Sequence, residues 1–185
     1  MGDADRERWN GRHAARPPPI PEVVGAPSAF ADLVEALPRV GRALDVACGV
    51  GSSAVWLARR GLEVTGVDVS EVATGRAGNL ARREGVDGRC RFLVHDLDDG
   101  LPAGPPVELV LCHLFDAPWL DAQLVERVAP GGSLAVAVLS EVGGGPGRFR
   151  VAQGALLDRF GARGALEVLD HREADGVARL LARRR

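Results

Sequence analysis

The chain has 185 residues, enough for a single domain with a sizeable buried core, and its formal net charge at pH 7 is −2. All 23 of its lysine-plus-arginine residues are arginine, and the negative net charge argues against a strong general attraction to nucleic acid or to anionic membranes. The 3 cysteines, Cys48, Cys90 and Cys112, are dispersed and odd in number, which argues against both a zinc site and a disulfide framework.

The N-terminal residues lack the apolar core of a secretion signal, and no apolar run approaches the length that spans a membrane. Together with the dispersed cysteines, this predicts a soluble, cytoplasmic protein without a bound metal and with no membrane partner. The bias toward arginine, alanine, glycine and valine is typical of a GC-rich genome, so arginine in place of lysine says little about function. The oligomeric state stays open.

Residues 1–27 are expected to form an N-terminal arm and a connector that precede the main domain at 28–185. The proline-rich run Pro17–Pro21 is typical of a stiff, extended linker. The arm also carries Trp9 and His13, and a tryptophan is unusual in a merely solvated segment. Two interpretations are open: a lid that folds over a ligand cleft, or a frayed terminus with one aromatic ring anchored on the surface.

The main domain is predicted to begin with an amphipathic helix at Ser28–Leu37. Its apolar residues follow the i, i+3, i+4, i+7 spacing of one helix face, and Ser28 is a suitable N-cap. Pro38 and Gly41 would then end the helix before the first strand.

The stretch from residue 43 to residue 70 predicts a strand, a glycine turn, a helix and a second strand. Ala43–Ala47 is a short apolar run of the kind that forms a buried parallel strand, and Gly49–Gly51 is a tight turn that lets a ligand approach the backbone. Ser52–Arg60 has helical apolar spacing, and Leu62–Val67 is a strand that ends in Asp68. This is the first half of a nucleotide-binding unit, with an acidic residue where a ribose would lie.

The cofactor of this unit has two possible readings. Gly49, Gly51 and Ala54 satisfy the loose dinucleotide fingerprint G-x-G-x-x-A, which would suit an NAD-type oxidoreductase. However, the run Asp45-x-Ala47-x-Gly49-x-Gly51 resembles motif I of the class I S-adenosylmethionine (SAM) methyltransferases. A carboxylate inside the strand, Asp45, can pair with the ammonium group of a methionine but would repel a pyrophosphate.

The following residues predict further alternating helices and strands. The expected order is a helix at Ser70–Glu84, a strand at Arg89–Val94, a strand at Val107–Leu114, a helix at Pro118–Ala129 and a strand at Ser133–Ser140. Asp96 follows the third strand, and a P-G-G turn leads into the fifth strand.

The C-terminal part predicts a mobile loop and a hairpin. The glycine-rich residues 141–150 cannot form a regular element, and they should lie at the sheet edge where α/β proteins bind ligands. A helix at Val151–Phe160 follows. Two strands, Leu166–His171 and Val177–Ala182, are joined through Asp175-Gly176, which is a strong hairpin signal.

This ordered set of motifs resembles the class I SAM methyltransferases over roughly residues 28 to 182. The resemblance implies a Rossmann-like α/β fold with a mostly parallel seven-stranded sheet that ends in an antiparallel hairpin. The helix sequence Trp56-Leu57-Ala58-Arg59-Arg60-Gly61 also resembles the small bacterial tellurite-resistance-type methyltransferases. That narrower likeness implies SAM as cofactor, S-adenosylhomocysteine (SAH) as product and a small-molecule methyl acceptor.

The resemblance also implies which residues form the site. The cofactor positions would be Asp45, Ala47, Cys48, Gly49, Gly51, Asp68, Val69, Asp96, Leu97 and Cys112. Asp96 would meet the adenine amino group, or would instead only cap a loop. The acceptor and lid positions would be Trp9, His13, Phe149 and Arg150.

Methyl transfer from a sulfonium is an in-line displacement, so the protein mainly has to align the reactants and exclude water. A general base is needed only if the acceptor must lose a proton. His113 and Asp116 are the candidates, since they lie at the edge of the fourth strand that faces the methyl group in the resembled fold; His113 could equally point away into the helix layer. Cys48 and Cys112 are more typical of small core residues than of nucleophiles.

Two alternative functions are open at this stage. The run Asp116-Ala117-Pro118-Trp119 lies where amino-directed nucleic-acid methyltransferases carry [D/N]-P-P-[Y/F/W]. Its first proline is replaced by alanine, and the chain has no basic arm or recognition domain, so a nucleic-acid partner is disfavoured. A non-catalytic SAM-binding protein is the other alternative.

Overall fold

The computed structural model describes residues 3–15, 24–161 and 164–185. The helices are α1 (Asp3–Ala15), α2 (Ser52–Arg59), α3 (Glu71–Arg83), α4 (Asp121–Arg127) and α5 (Ala155–Phe160). The strands are β1 (Arg42–Val46), β2 (Glu63–Asp68), β3 (Cys90–Val94), β4 (Val107–His113), β5 (Val128–Ser140), β6 (Arg150–Val151), β7 (Leu166–Ala174) and β8 (Val177–Arg184). The predicted connector Pro17–Pro21 lies outside the described residues.

The strands form one sheet in the order β3-β2-β1-β4-β5-β8-β7, and the two-residue strand β6 pairs beside β5. The first five strands pair in parallel, whereas β8 is antiparallel to both β5 and β7. The predicted Rossmann-like sheet of seven main strands with a closing hairpin is therefore confirmed. Asp175 and Gly176 form the hairpin turn with positive φ angles of 54° and 78°, as their sequence predicts.

Two apolar layers cover the faces of the sheet. Leu44 and Val110 enter one core cluster with α4 and α5, and their neighbours Ala43 and Leu111 enter the other with α2. This alternation follows from the period of two in a strand, and the continuous apolar runs of β1 and β4 reflect burial on both faces.

The helices α2 and α3 begin, and α2 ends, where their sequences indicate. α2 begins after Gly51, whose φ of 81° is left-handed, and the chain leaves α2 through Gly61 with a φ of 115°. Ser70 caps α3, since its Oγ accepts a hydrogen bond of 3.1 Å from the backbone N–H of Ala73.

The predicted amphipathic helix at Ser28–Leu37 is wrong. The segment forms two 3-10 turns, Ser28–Phe30 and Val34–Ala36, which are separated at Leu33 by a φ of −114°. The reason lies far along the chain: the Arg179 guanidinium donates to the Ala29 carbonyl at 2.8 Å and also pairs with the Asp32 carboxylate. These contacts compete with the helical hydrogen bonds of the segment.

Two other predicted helices have different bounds in the structure. The helix expected at Pro118–Ala129 is a 3-10 turn followed by the shorter α4, and β5 already begins at Val128. The helix expected from Val151 begins only at Ala155, because Arg150–Val151 pairs with β5. The connection between β3 and β4 holds a 3-10 turn, Leu97–Asp99, and no α-helix, in agreement with the predicted order of elements.

None of the helices in the described part of the chain has the length and apolar content needed to cross a membrane.

Candidate active site at the carboxyl edge of the sheet

The glycine turn after β1 contains three left-handed residues, Ala47 (φ 55°), Gly49 (φ 52°) and Gly51 (φ 81°). The two glycines have different roles. A Cβ on Gly51 would lie 2.6 Å from the Ala77 Cβ, so Gly51 allows α2 to pack against α3. A Cβ on Gly49 would meet nothing closer than the His13 ring at 3.9 Å, so this position opens into free space. Ala47 bears the strain that an L-residue has in this conformation, roughly 1–2 kcal/mol.

Asp68, at the end of β2, stabilises this turn through hydrogen bonds. Its carboxylate accepts the backbone N–H of Gly49 at 2.9 Å and the backbone N–H of Ser70 at 2.9 Å. The side chain is largely buried but lines the cavity described below. Each carboxylate oxygen has capacity for a further hydrogen bond, so the same group can also accept from the hydroxyls of a ligand.

Asp45 lies in the middle of β1 and is 2% exposed. The backbone N–H of Ala54, at the start of α2, donates to its carboxylate, but its Oδ2 atom has no hydrogen-bond partner among the described residues. Burial, and then the charge of Asp68, raise the pKa of Asp45 to about 7. A buried carboxylate oxygen without a partner is unfavourable, and a cationic or N–H donor group from a ligand would satisfy it.

A cavity of about 330 Å3 lies at the carboxyl ends of the parallel strands, and we call it the carboxyl-edge cavity. It is lined by Trp9, His13, Ala47, Gly49, Asp68, Val69, Leu97, His113, Leu114 and Phe115. Eight of these ten residues were predicted as site residues from the sequence, and they come from α1, from the last residues of β2 and β4 and from the segments after β1, β2, β3 and β4. In an open α/β sheet this edge is where ligands bind.

The other predicted residues do not line the cavity. Asp96 caps the 3-10 turn by accepting from the Asp98 N–H at 3.0 Å. Cys112 is buried, and its thiol donates to the Phe115 carbonyl at 3.2 Å; burial raises the pKa values of both Cys48 and Cys112 well above the usual thiol range. Arg150 donates to the Ser140 carbonyl at 2.5 Å and so braces the glycine-rich loop.

The helix α1 forms one wall of the cavity. Asn10 Oδ1 accepts from the Ser70 hydroxyl at 2.6 Å and lies 3.5 Å from the Val72 N–H, so α1 is attached to the start of α3. The Trp9 and His13 rings lie 6.0 Å apart at the cavity. The Arg8 guanidinium contacts Trp9 and Phe149, which links α1 to the glycine-rich loop. Asn10 carries no sequence signal that would have identified it.

The two candidate bases differ in what they can do. Burial lowers the pKa of His113 to about 4, so its imidazole is neutral at pH 7, and Nε2 lies 3.3 Å from the Ser28 Oγ. Asp116 instead pairs with Arg159, at 2.7 Å from Nη1, and the same guanidinium also binds Asp121 at 2.6 Å. A neutral histidine of low pKa is a weak proton acceptor, and the Asp116 carboxylate is already engaged by Arg159.

Leu114, Phe115 and Trp119 were not among the individually predicted site residues, although Trp119 belongs to the run Asp116-Ala117-Pro118-Trp119 noted in the sequence. Leu114 has a left-handed φ of 59° and is 44% exposed beside the cavity, an unusual conformation for a bulky apolar residue. The Trp119 indole N–H donates to the Leu97 carbonyl at 3.1 Å, and its ring meets the edge of Phe115. Leu114 and Phe115 directly follow the buried strand β4, and this apolar pair was the available signal.

The raised pKa of Asp45 predicts a pH-dependent stability. Between its ordinary value of 3.8 and about 7, the folded chain holds more protons than the unfolded chain. The contribution of Asp45 to the free energy of unfolding is therefore fully present below about pH 4 and is lost as the pH rises through 7. The change amounts to roughly 4 kcal/mol at most. His113 acts oppositely, because its lowered pKa removes stability as the pH falls from 6.5 through 4.

Urea unfolding of the native chain and of Asp45→Asn across this range measures the effect. We expect the free energy of unfolding of Asp45→Asn relative to the native chain to rise by at least about 2 kcal/mol from the acidic to the neutral side. The His113 contribution cancels in this difference, since both proteins contain it. A difference that does not change with pH would contradict the assignment.

The sequence profile of the methyltransferase-domain family matches residues 43–132, which run from β1 into β5. Methyltransferase GfsG of Streptomyces halstedii is 34% identical over 103 residues, which are 52% of this chain and 37% of that protein. The chain thus spans little more than a third of the length of this curated relative.

Among solved structures, TehB from Haemophilus influenzae aligns with a TM-score of 0.72 and 17% identity over 85% of this chain and 62% of that one. The magnesium protoporphyrin IX methyltransferase ChlM from Synechocystis PCC 6803, with bound SAH, aligns with a TM-score of 0.66 and 21% identity, covering 85% of this chain and 80% of that one. At these identities, both show that the fold is shared.

Proposed function

We propose that the chain is a class I SAM-dependent methyltransferase, which binds SAM in the carboxyl-edge cavity and transfers its methyl group to a small-molecule acceptor; the methyltransferase-domain profile match and the shared fold support this. The observation that carries this proposal is the buried, unpartnered Oδ2 of Asp45, next to a glycine turn whose Gly49 opens into the cavity.

The residues present fit this cofactor. Asp45 would pair with the ammonium group of the methionine part of SAM, a group that a dinucleotide lacks. The absence of a side chain at Gly49 leaves room for a ligand against the backbone. Asp68 would accept from the ribose hydroxyls, while Asp96 and the Leu97 backbone would lie toward the adenine. The cofactor supplies an activated methyl group on a sulfonium.

The chain itself would bind and orient the cofactor and the acceptor, and it would exclude water from them. Trp9 and His13 cover one side of the cavity, and Leu114 and Phe115 bound another, so an acceptor would meet largely apolar walls. Such a site can hold the acceptor atom in line with the methyl group, and orientation of this kind accounts for much of the rate in a displacement reaction. We propose that α1, the helix that carries Trp9 and His13, is the lid of the site.

The acceptor would be a small molecule with an apolar or aromatic body. Half of the eight aromatic residues of the chain surround this site, namely Trp9, Phe115, Trp119 and Phe149. The neutral His113 favours an acceptor whose reacting atom carries no proton or loses it readily. The ion pair of Asp116 with Arg159 speaks against the nucleic-acid alternative, in which this side chain would grip a target amine.

Isothermal titration with SAH, SAM, NAD(H) and NADP(H) tests the cofactor. We expect binding of SAM and SAH only, with proton release near pH 7, because a ligand ammonium lowers the pKa of Asp45 from about 7. The binding heat should therefore depend on the ionisation enthalpy of the buffer, and this dependence should vanish in Asp45→Asn. Binding of a nicotinamide dinucleotide in place of SAH would refute the proposal, and SAH binding without any methyl transfer to small acceptors would favour the non-catalytic alternative.

A further inference from the structure

A second cavity, of about 320 Å3, lies at the amino ends of β1, β2 and β3, on the edge of the sheet opposite the carboxyl-edge cavity. Its rim is completed by residues 103–105 of the connection between β3 and β4 and by the end of α4. The connection crosses here as a loop, because its only helical turn is Leu97–Asp99. The cavity is thus left open between the strand ends and the loop.

Four arginines from four elements of the fold line this second cavity, namely Arg42, Arg89, Arg91 and Arg127. We call it the arginine cavity. Three of them are held by backbone carbonyls. Arg42 donates to Pro106 at 3.0 Å, Arg89 to Gly61 at 2.9 Å and Arg127 to Pro102 at 2.5 Å. Each such bond uses one N–H of a guanidinium that has five, so donors remain for a ligand.

The positive charge of the arginine cavity is not neutralised within the described residues. None of the four guanidinium groups forms an ion pair there, and Glu63 is the one carboxylate among the lining residues. The nearby Glu108 carboxylate accepts the backbone N–H of Arg42 at 2.6 Å. Burial lowers the pKa of Arg127, which means that this cation has lost hydration without gaining a counter-ion.

We propose that the arginine cavity binds a small ligand with two or more linked phosphate groups. Guanidinium groups match phosphate oxygens in bidentate pairs, and several converging arginines suit a ligand with several adjacent anionic groups. The volume is at the lower end of the range for small-molecule sites, so it accommodates a small phosphorylated compound. A nucleic acid is less suitable, since the net charge of −2 gives no general attraction to a long polyanion.

Titration of the full chain with inorganic pyrophosphate and tripolyphosphate at low ionic strength tests this site. We expect saturable binding that the double variant Arg42→Gln/Arg91→Gln weakens at least about tenfold, because two charge-assisted contacts are lost. The matched control is Arg82→Gln/Arg172→Gln, which removes the same charge from residues outside the cavity lining. Its affinity should stay within about twofold of the native chain.

Three results would overturn the proposal: no saturable binding to the native chain, equal losses in the two double variants, or a short single-stranded RNA that binds more tightly than tripolyphosphate. SAH titrations of the same variants keep the two proposals separate. Both double variants should bind SAH as the native chain does, because the arginine cavity and the carboxyl-edge cavity lie on opposite edges of the sheet.

Discussion

Gly49→Val should lower the affinity for SAH at least about 100-fold, which corresponds to roughly 2.7 kcal/mol of binding free energy. A Cβ at this position has no neighbour closer than the His13 ring at 3.9 Å, so the valine methyl groups would project into the carboxyl-edge cavity itself. The loss would come from occupied space, because the protein around the substitution has little to clash with. Calorimetric titration with SAH measures it.

The matched control is Gly85→Val. Gly85 has a similar left-handed φ of 68°, also without atoms within 4 Å of a new Cβ, but it lies outside the cavity lining. Both variants should lose comparable stability, roughly 1–2 kcal/mol from the left-handed conformation, and so similar melting temperatures are expected. Gly85→Val should bind SAH normally. If the two variants bound SAH equally well, the glycine turn would not be the cofactor site.

Asp68→Ala should destabilise the fold by roughly 2–4 kcal/mol and also weaken SAH binding at least about tenfold. The stability loss follows because the backbone N–H groups of Gly49 and Ser70 would lose their acceptors, and Ser70 is fully buried. The binding loss follows from the missing partner for the ribose hydroxyls. Relief of the repulsion that raises the pKa of Asp45 would recover a part of the stability.

Urea unfolding and SAH titration of Asp68→Ala and Asp68→Asn separate these contributions. Asp68→Asn keeps one acceptor oxygen, so its loss of stability should be about half as large, while its neutral amide should still bind SAH more weakly than the carboxylate does. An Asp68→Ala variant that unfolds and binds like the native chain would rule out both roles of this carboxylate.

The sequence predicted those parts of the fold that local patterns determine. Asp175-Gly176 adopts the positive φ angles that a two-residue hairpin requires, and Gly61 ends α2 in the same way. The strands β1 and β4 were recognisable because burial on both faces leaves an almost uninterrupted apolar run. The helix prediction for Ser28–Leu37 was wrong because the conformation of this segment depends on Arg179, about 150 residues later. Helical periodicity contains no information on such a contact.

The same distinction applies to the site. Residues at or just after the end of a strand, such as Gly49, Asp68 and His113, were found because parallel strands bring their carboxyl ends together. The partner of Asp116 was not foreseeable, since Arg159 lies 43 positions later, in α5. Asn10 was missed for a related reason: its contact with Ser70 spans 60 positions.

The position of β8 has a consequence for how the chain acquires its structure during synthesis. β8 follows the other seven strands of the described residues along the chain, yet it lies inside the sheet between β5 and β7 and contributes Leu180 and Leu181 to the cores on opposite faces. A nascent chain cannot complete either core before these leucines emerge from the ribosome. Shortened products should therefore expose apolar surface and become substrates for chaperones and proteases, even though they contain every residue of the glycine turn.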